Sequence, residues 1–272
     1  LLIGLKIIPA VERCQIDPNS FNEVNFRYDM LKGGGFNSPN IRPRYINNAQ
    51  AKPSFLFQLY PKLIPNGNRQ DGRINSWMQL RLNKSMVLVN EMHLNYASQN
   101  EDSYIGKEWR GISGLTNQSF LSWNKKMGLA GDMTIQIGRF YSQLGPGRHG
   151  QLLLGASPRP MDQLSLSLEH AILENLAARF FSQTSALDKI GSVGRFMSLH
   201  RLEISTSRWY IAFSEALTYT RDTQGIDLVY LNPFIFYHLE QINGPDLLGN
   251  TLGALEIGFK WKTSHIYSEI LI

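Results

Sequence analysis

The sequence predicts an all-β fold: an antiparallel transmembrane β-barrel, carried by this chain as an incomplete set of strands with few short helices. Three observations lead there. Residues 73–96 alternate polar and apolar side chains, turn, and alternate again. The same strand-and-turn rhythm recurs to the last residue. Nothing in the chain approaches the ~18 consecutive apolar residues of a spanning helix, a test blind to barrels because their apolar residues are interleaved with polar ones.

The first hairpin is the clearest element. Even positions read Ile74, Ser76, Met78, Leu80 and Leu82, then Met86, Leu88, Met92, Leu94 and Tyr96. Odd positions read Arg73, Asn75, Trp77, Gln79 and Arg81, then Ser85, Glu91, His93 and Asn95, with Val87 and Val89 as exceptions. A period of two sends successive side chains to opposite faces of a strand. Asn83-Lys84-Ser85 is the polar turn between the runs. Each run of about ten residues is long enough to cross a bilayer at a tilt. The even face then meets lipid and the odd face a wet lumen. A soluble sandwich is the competing fold, and it requires the even face to be buried.

The other elements follow in order. Phe21–Met30 reads as a strand before the loop Lys32-Gly33-Gly34-Gly35, and Pro39–Pro43 as extended or irregular. Residues 1–50 are expected to form an irregular periplasmic or plug-like segment. Ser54–Tyr60 reads as a strand, and Pro61–Gly72 as a turn because of its prolines, glycines and asparagines. Gln99–Asp102 is a polar loop. Trp109–Thr116, Ser119–Trp123 and Thr134–Phe140 read as strands, whereas Leu144–Pro160 is too rich in glycine and proline for a regular ladder. Gln163–His170, Leu176–Ser182, Phe196–Thr206, Trp209–Thr220, Leu228–Leu239, Leu252–Trp261 and His265–Ile272 complete the set. Ala171–Ala178 reads either as a short helix or as continued strand. Proline removes a ladder donor, so Pro233 is expected to start the aromatic strand Phe234–His238, with Phe234 and Phe236 on one face. No linker divides the chain, and residues 1–272 are expected to form one domain. The chain opens LLIGLKIIPA with no initiator Met or basic leader, and its alternation runs into Ile272, so further strands are expected beyond it.

Composition narrows the function classes. The net charge is +5, yet the arginines are scattered rather than gathered into the basic patch of a nucleic-acid binder. The lone Cys14 allows no internal disulfide, and no Cys/His spacing suits a metal. No catalytic residue, cofactor or metal ligand is expected. His149 lacks a GxSxG elbow or an evident acid partner. Glu169, Glu203, Glu215, Asp227 and Glu256 would have to converge in space to hydrolyse a glycosidic bond, and nothing in the sequence pairs any two of them.

Gly138 to Gly150 (GRFYSQLGPGRHG) is the densest unusual patch. It fits neither the GxxxxGK[ST] nor the GxGxxG phosphate motif and reads first as an ordered or inward-folded loop. Ile137-Gly138-Arg139, Leu144-Gly145-Pro146-Gly147 and Leu152-Leu153-Leu154, together with Tyr230–His238 and Gly249-Asn250, resemble the capsule-assembly Wzi family. The resemblance covers about residues 109–272 in sparse motifs. It implies a monomeric barrel of the Gram-negative bacterial outer membrane that binds capsular polysaccharide without chemistry, its partners being that polymer and outer-membrane lipid. The expected contacts are Arg73, Trp77, Arg81, Arg139 and Arg148, because guanidinium groups bind hydroxyls and uronates while an indole covers an apolar sugar face. A porin-like channel with a basic lumen for anionic sugars or small solutes is the alternative.

Overall fold

The computed structural model describes residues 2–7, 54–66, 69–83, 85–96, 112–128, 131–142, 144–145, 152–154, 160–190, 193–221, 226–243, 249–261 and 264–272. The strand candidate Phe21–Met30 and the extended stretch Pro39–Pro43 lie outside them.

Twelve strands form one sheet in sequence order. They are β1 (Leu2–Ile7), β2 (Ser54–Asn66), β3 (Arg69–Arg81), β4 (Met86–Tyr96), β5 (Ile112–Lys126), β6 (Asp132–Phe140), β7 (Met161–Leu173), β8 (Leu176–Ile190), β9 (Val193–Thr206), β10 (Trp209–Arg221), β11 (Gly249–Trp261) and β12 (Ser264–Leu271). Every neighbouring pair is antiparallel except β1 with β2, which is parallel and departs from the wholly antiparallel expectation. No ladder joins β12 back to β1 among the described residues, so the sheet is open.

The first hairpin forms as read. The Leu82 amide donates to the Met86 carbonyl (3.0 Å), and the Asn83 side-chain oxygen accepts from the amides of Ser85 (2.8 Å) and Met86 (3.0 Å), which closes the turn. Two expectations need correction, and one open alternative is decided. The turn placed at Pro61–Gly72 is strand on both sides of residues 67–68. Pro61 and Pro65 are tolerated because they lie beyond the Ser54–Leu59 stretch that pairs with β1, so β1 loses no ladder bond to them. The two short strands read at 109–123 are one strand, β5, with an irregularity at Asn117. A bulge residue shifts the alternation by one, so the unbroken strand looks like two in sequence. Ala171–Ala178 is strand and a tight turn at Glu174-Asn175, with no helix.

The two faces of the sheet differ throughout. Cross-strand partners share a face, so the register defines rows. On one face Phe55, Leu80, Leu88, Leu121, Ile137 and Leu164 form a row across β2 to β7. Leu168, Phe180, Leu202, Phe213, Leu255 and Ile270 form another across β7 to β12. Ile74, Leu94, Ile137, Leu202, Phe213 and Ile257 on this outer face are exposed. The sandwich expectation fails on two counts: there is one sheet, and the even face of the first hairpin is the more open one. The inner face buries Ser122, Gln136, Ser165, Gln183, Arg201 and Glu203 instead.

The connections are unequal. At one end the strands are joined through residues 82–85, 127–131, 174–175, 207–208 and 262–263. The other end carries the connections 97–111, 141–160 and 222–248 together with the two-residue joints at 67–68 and 191–192. Trp123, Trp209 and Phe259 lie on the outer face near the short-turn end, with Trp209 opposite Phe259. No helix among the described residues is long and apolar enough to cross a membrane, which says nothing about a barrel.

Gly138 and Gly128 both hold positive φ, at 127° and 61°. A Cβ on Gly138 would stand 2.2 Å from the Ser119 carbonyl oxygen, whereas one on Gly128 meets nothing within 4 Å. Chemical denaturation should therefore show Gly128→Ala costing about 1 kcal/mol from the backbone conformation alone. Gly138→Ala should cost roughly 3 kcal/mol, since conformation and overlap act together. Equal costs would mean that β5 and β6 are not in this register.

Candidate functional site

The inner face carries the chemistry, and its centre is one row of charges. Glu169, Arg179, Glu203, Ala212, Glu256 and Glu269 follow one another across β7 to β12. Arg201 sits in the next row. Its Nη2 donates to Glu203 Oε2 at 3.1 Å, and its Nη1 reaches Glu256 Oε1 and Ser214 Oγ (3.3 Å). Arg179 Nε donates to Glu169 (3.1 Å) and its Nη1 to Glu203 (3.2 Å). The small side chains of Ala212 and Ser214 on β10 leave the room in which Arg201 spans from β9 to β11. Arg201 and Glu203 are each only 1% exposed. Charges so far from water persist only when paired and hydrogen-bonded, and here two guanidinium groups bind three carboxylates.

Residues 144–145 and 152–154 of the β6–β7 connection lie over this face. Leu144 and Leu154 form a bridge and pack on Phe181, Met197, Leu199 and Ala216, all on the inner face. Further along the connection, the Leu152 amide donates to Glu269 Oε2 on β12 at 3.0 Å. The segment therefore reaches from β6 to the far strand, which agrees with its reading as an inward-folded loop. Gln163 ties its base: the side-chain oxygen accepts from Ser142 (3.2 Å) and Ser185 (3.1 Å), and the amide nitrogen donates to the Phe140 carbonyl (2.6 Å).

A second inner-face cluster surrounds the β5 irregularity. Glu91 accepts from Asn117 Nδ2 (3.0 Å) and Gln118 Nε2 (2.8 Å) and pairs with His93 Nε2 (3.0 Å). Tyr141, just past β6, donates its hydroxyl to Asn117 Oδ1 at 2.7 Å. Burial and then the Glu91 carboxylate push the Tyr141 phenol up, against the opposing effect of its bond to Asn117, so it stays a neutral donor. The bulge is what brings Asn117 and Gln118 to the same carboxylate.

The five contact residues expected from sequence separate. Trp77 and Arg81 share the inner face: Trp77 stands opposite Glu91 and packs on the cluster of Val87, Val89, Phe120 and Phe140, and Arg81 is buried opposite Val87. The two valines that broke the alternation are thus the seat of the indole. Arg73 keeps the same strand phase. Arg139 points to the other face, where it binds Asp162 through two contacts of 2.7 Å. Arg148 and His149 lie outside the described residues. The charge row was missed by sequence reading, although its five charged members all lie on strands read from the sequence. Its register depends on an irregularity between Ala171 and Leu173 that alternation alone does not reveal. Of the five carboxylates considered for hydrolysis, Glu169, Glu203 and Glu256 converge through the two arginines, while Glu215 lies on the opposite face.

No group of three or more His, Cys, Asp or Glu side chains among the described residues is arranged to hold a metal ion. No family model and no curated protein matches the chain.

The charge row makes a non-additive prediction for stability. Arg201→Met strands Glu256 and leaves Glu203 with Arg179 alone, and should cost about 3–5 kcal/mol in denaturant unfolding. Adding Glu203→Gln and Glu256→Gln should restore more than half of that loss, because the penalty comes from uncompensated charge. Additive losses would mean that the three side chains act independently.

Proposed function

We propose that this chain is part of an outer-membrane β-barrel that binds an exported or capsular polysaccharide at the cell surface without making or breaking bonds. The observation that carries the reading is the opposite polarity of the two faces. The outer face exposes rows of hydrocarbon; the inner face buries hydroxyls, amides and paired charges. Water rewards the reverse arrangement on any sheet face left uncovered, and a bilayer rewards this one. Short turns at one end and long connections at the other fit the same architecture. The resemblance of the sparse motifs within Ile137–Leu154 to the capsule-assembly Wzi family suggests the ligand class. Leu144 and Leu154, seated on the inner face, favour a binding protein over an open channel, since side chains there narrow the space open to solute.

Trp77 and Arg81 line the inner face, and Arg148 lies in sequence between Leu144 and Leu154, both seated on that face. In this reading, amides and guanidinium groups bond polymer hydroxyls and uronates. Arg139, already engaged by Asp162 on the other face, contributes little.

Calorimetric titration of the protein in detergent micelles with a uronate-containing capsular polymer should give saturable binding that weakens with salt and leaves the polymer length unchanged. Arg148→Ala should weaken it about tenfold, the worth of roughly 1.4 kcal/mol, and Arg139→Ala less than twofold. No binding, together with an open anion-selective conductance in planar bilayers, would replace this function with the channel.

A further inference from the structure

The region expected to be an aromatic strand, Leu228–Leu239, is not one. It forms a 3-10 turn, Leu228–Leu231, and a short helix α1, Tyr237–Asn243. Asp227 caps the turn by accepting from the Val229 amide at 3.2 Å, and the Asn232 side chain accepts from the Phe234 amide at 3.1 Å. The Asp227 and Asn232 side chains thus satisfy amides before and after Pro233 that a ladder would otherwise serve. The segment lies against the outer face of the sheet, because its partners Phe196, Leu217 and Tyr219 have the outer phase.

Its polarity is inverted. Beneath it, beside the apolar Phe196, Leu217 and Tyr219, the outer face carries a polar patch of Ser182, Thr184, Ser198, His200, Glu215 and Thr251. The segment turns its own polar groups toward that patch. Glu215 accepts from the amides of Tyr237 (3.1 Å) and His238 (2.7 Å), Tyr237 lies over the His200 ring at 4.7 Å, and Thr184 donates to the Tyr230 carbonyl (3.3 Å). Away from the sheet it presents mainly hydrocarbon: Phe234 is 72% exposed and Leu239 55%, with Leu228, Val229, Phe236 and Ile242 also open, while the exposed Asn232 and His238 bond the Phe234 amide and Thr251. This surface is continuous with the apolar rows, since Phe234 stacks on Phe180 at 5.5 Å, a member of the row through Leu202 and Phe213.

We propose that residues 226–243 form a lipid-immersed flap that covers a polar patch on the outer face and presents hydrocarbon to acyl chains in its place. The proposal rests on the membrane reading above. A polar patch facing acyl chains would carry unpaired donors and acceptors, each costly in hydrocarbon. Bonds between flap and patch engage the Glu215 carboxylate, the Thr184 hydroxyl, the Tyr230 carbonyl and the amides of Tyr237 and His238, so the pair enters the bilayer with fewer open groups than either carries alone. The exposed phenyl rings of Phe234 and Phe236 supply aromatic surface at the long-connection end, matching Trp123, Trp209 and Phe259 at the other.

Single cysteines at Phe236, Leu239 and Ile211, in a Cys14→Ser background, can carry an environment-sensitive fluorophore in phosphatidylcholine vesicles with or without nitroxide-labelled lipid. Ile211 lies on the bare outer face and serves as the membrane control. The expected result is quenching by nitroxide lipid at all three positions, at least twofold above the loss caused by aqueous iodide. Quenching at Ile211 with iodide access at Phe236 and Leu239 would overturn the flap and leave the membrane reading intact. Iodide access at all three would remove both. Protection of Phe236 and Leu239 from both quenchers would replace lipid with a protein partner and equally overturn the proposal.

Discussion

A one-layer sheet has no second layer against which to hide a face, so this fold depends on keeping one alternation in phase across successive ladders. Slipping any pair by one residue would move its hydrocarbons inward and its charges outward. The phase survives from β2 to β12, and where a strand carries an extra residue the structure uses it. The β5 irregularity turns Asn117 toward Glu91 and Tyr141, so a break in the pattern becomes a hydrogen-bonded node. Arg201 illustrates the same dependence at longer range. It reaches from β9 across β10 to β11 only because three strands agree on which side is in.

The general plan was legible because a period of two is a strong signal over runs of ten or more residues. Alternation identified both strands of the first hairpin and their turn, along with most later strands, β6 and β9 to β12 nearly to their ends. It failed where local chemistry outweighed it. Pro61 and Pro65 read as breakers, yet proline is harmful only where its missing amide would have donated. Phe234–His238 read as strand because aromatic residues favour sheets, but Asp227 and Asn232 offer caps that a strand does not use.

The site was less legible than the fold, for a physical reason. Strand phase tells which residues share a face, and it correctly grouped Arg73, Trp77 and Arg81 on one strand. It does not tell which strands' rows meet, because that depends on register, and register is shifted by single residues at Ala171–Leu173 and Ala186–Lys189. The pairing of Arg179 with both Glu169 and Glu203 therefore emerges only in three dimensions. Arg139 shows the converse. Its sequence setting in a glycine-rich strand end marked it as a contact residue, and a one-position difference in phase sends it to the other face.

The unequal connections separate two tasks along the chain. Hairpins such as Glu174-Asn175 leave the ladder little choice of register, so their sequences are bound to the architecture. The long connections obey a softer rule, because the entropy of closing a loop rises only with the logarithm of its length. A change that doubles the connection at 97–111 would cost under about 1 kcal/mol in closure entropy. The fold thus concentrates its tolerance for novelty at one rim, where new recognition surfaces can arise, diverge and be exchanged while the strands beneath them keep their pairing.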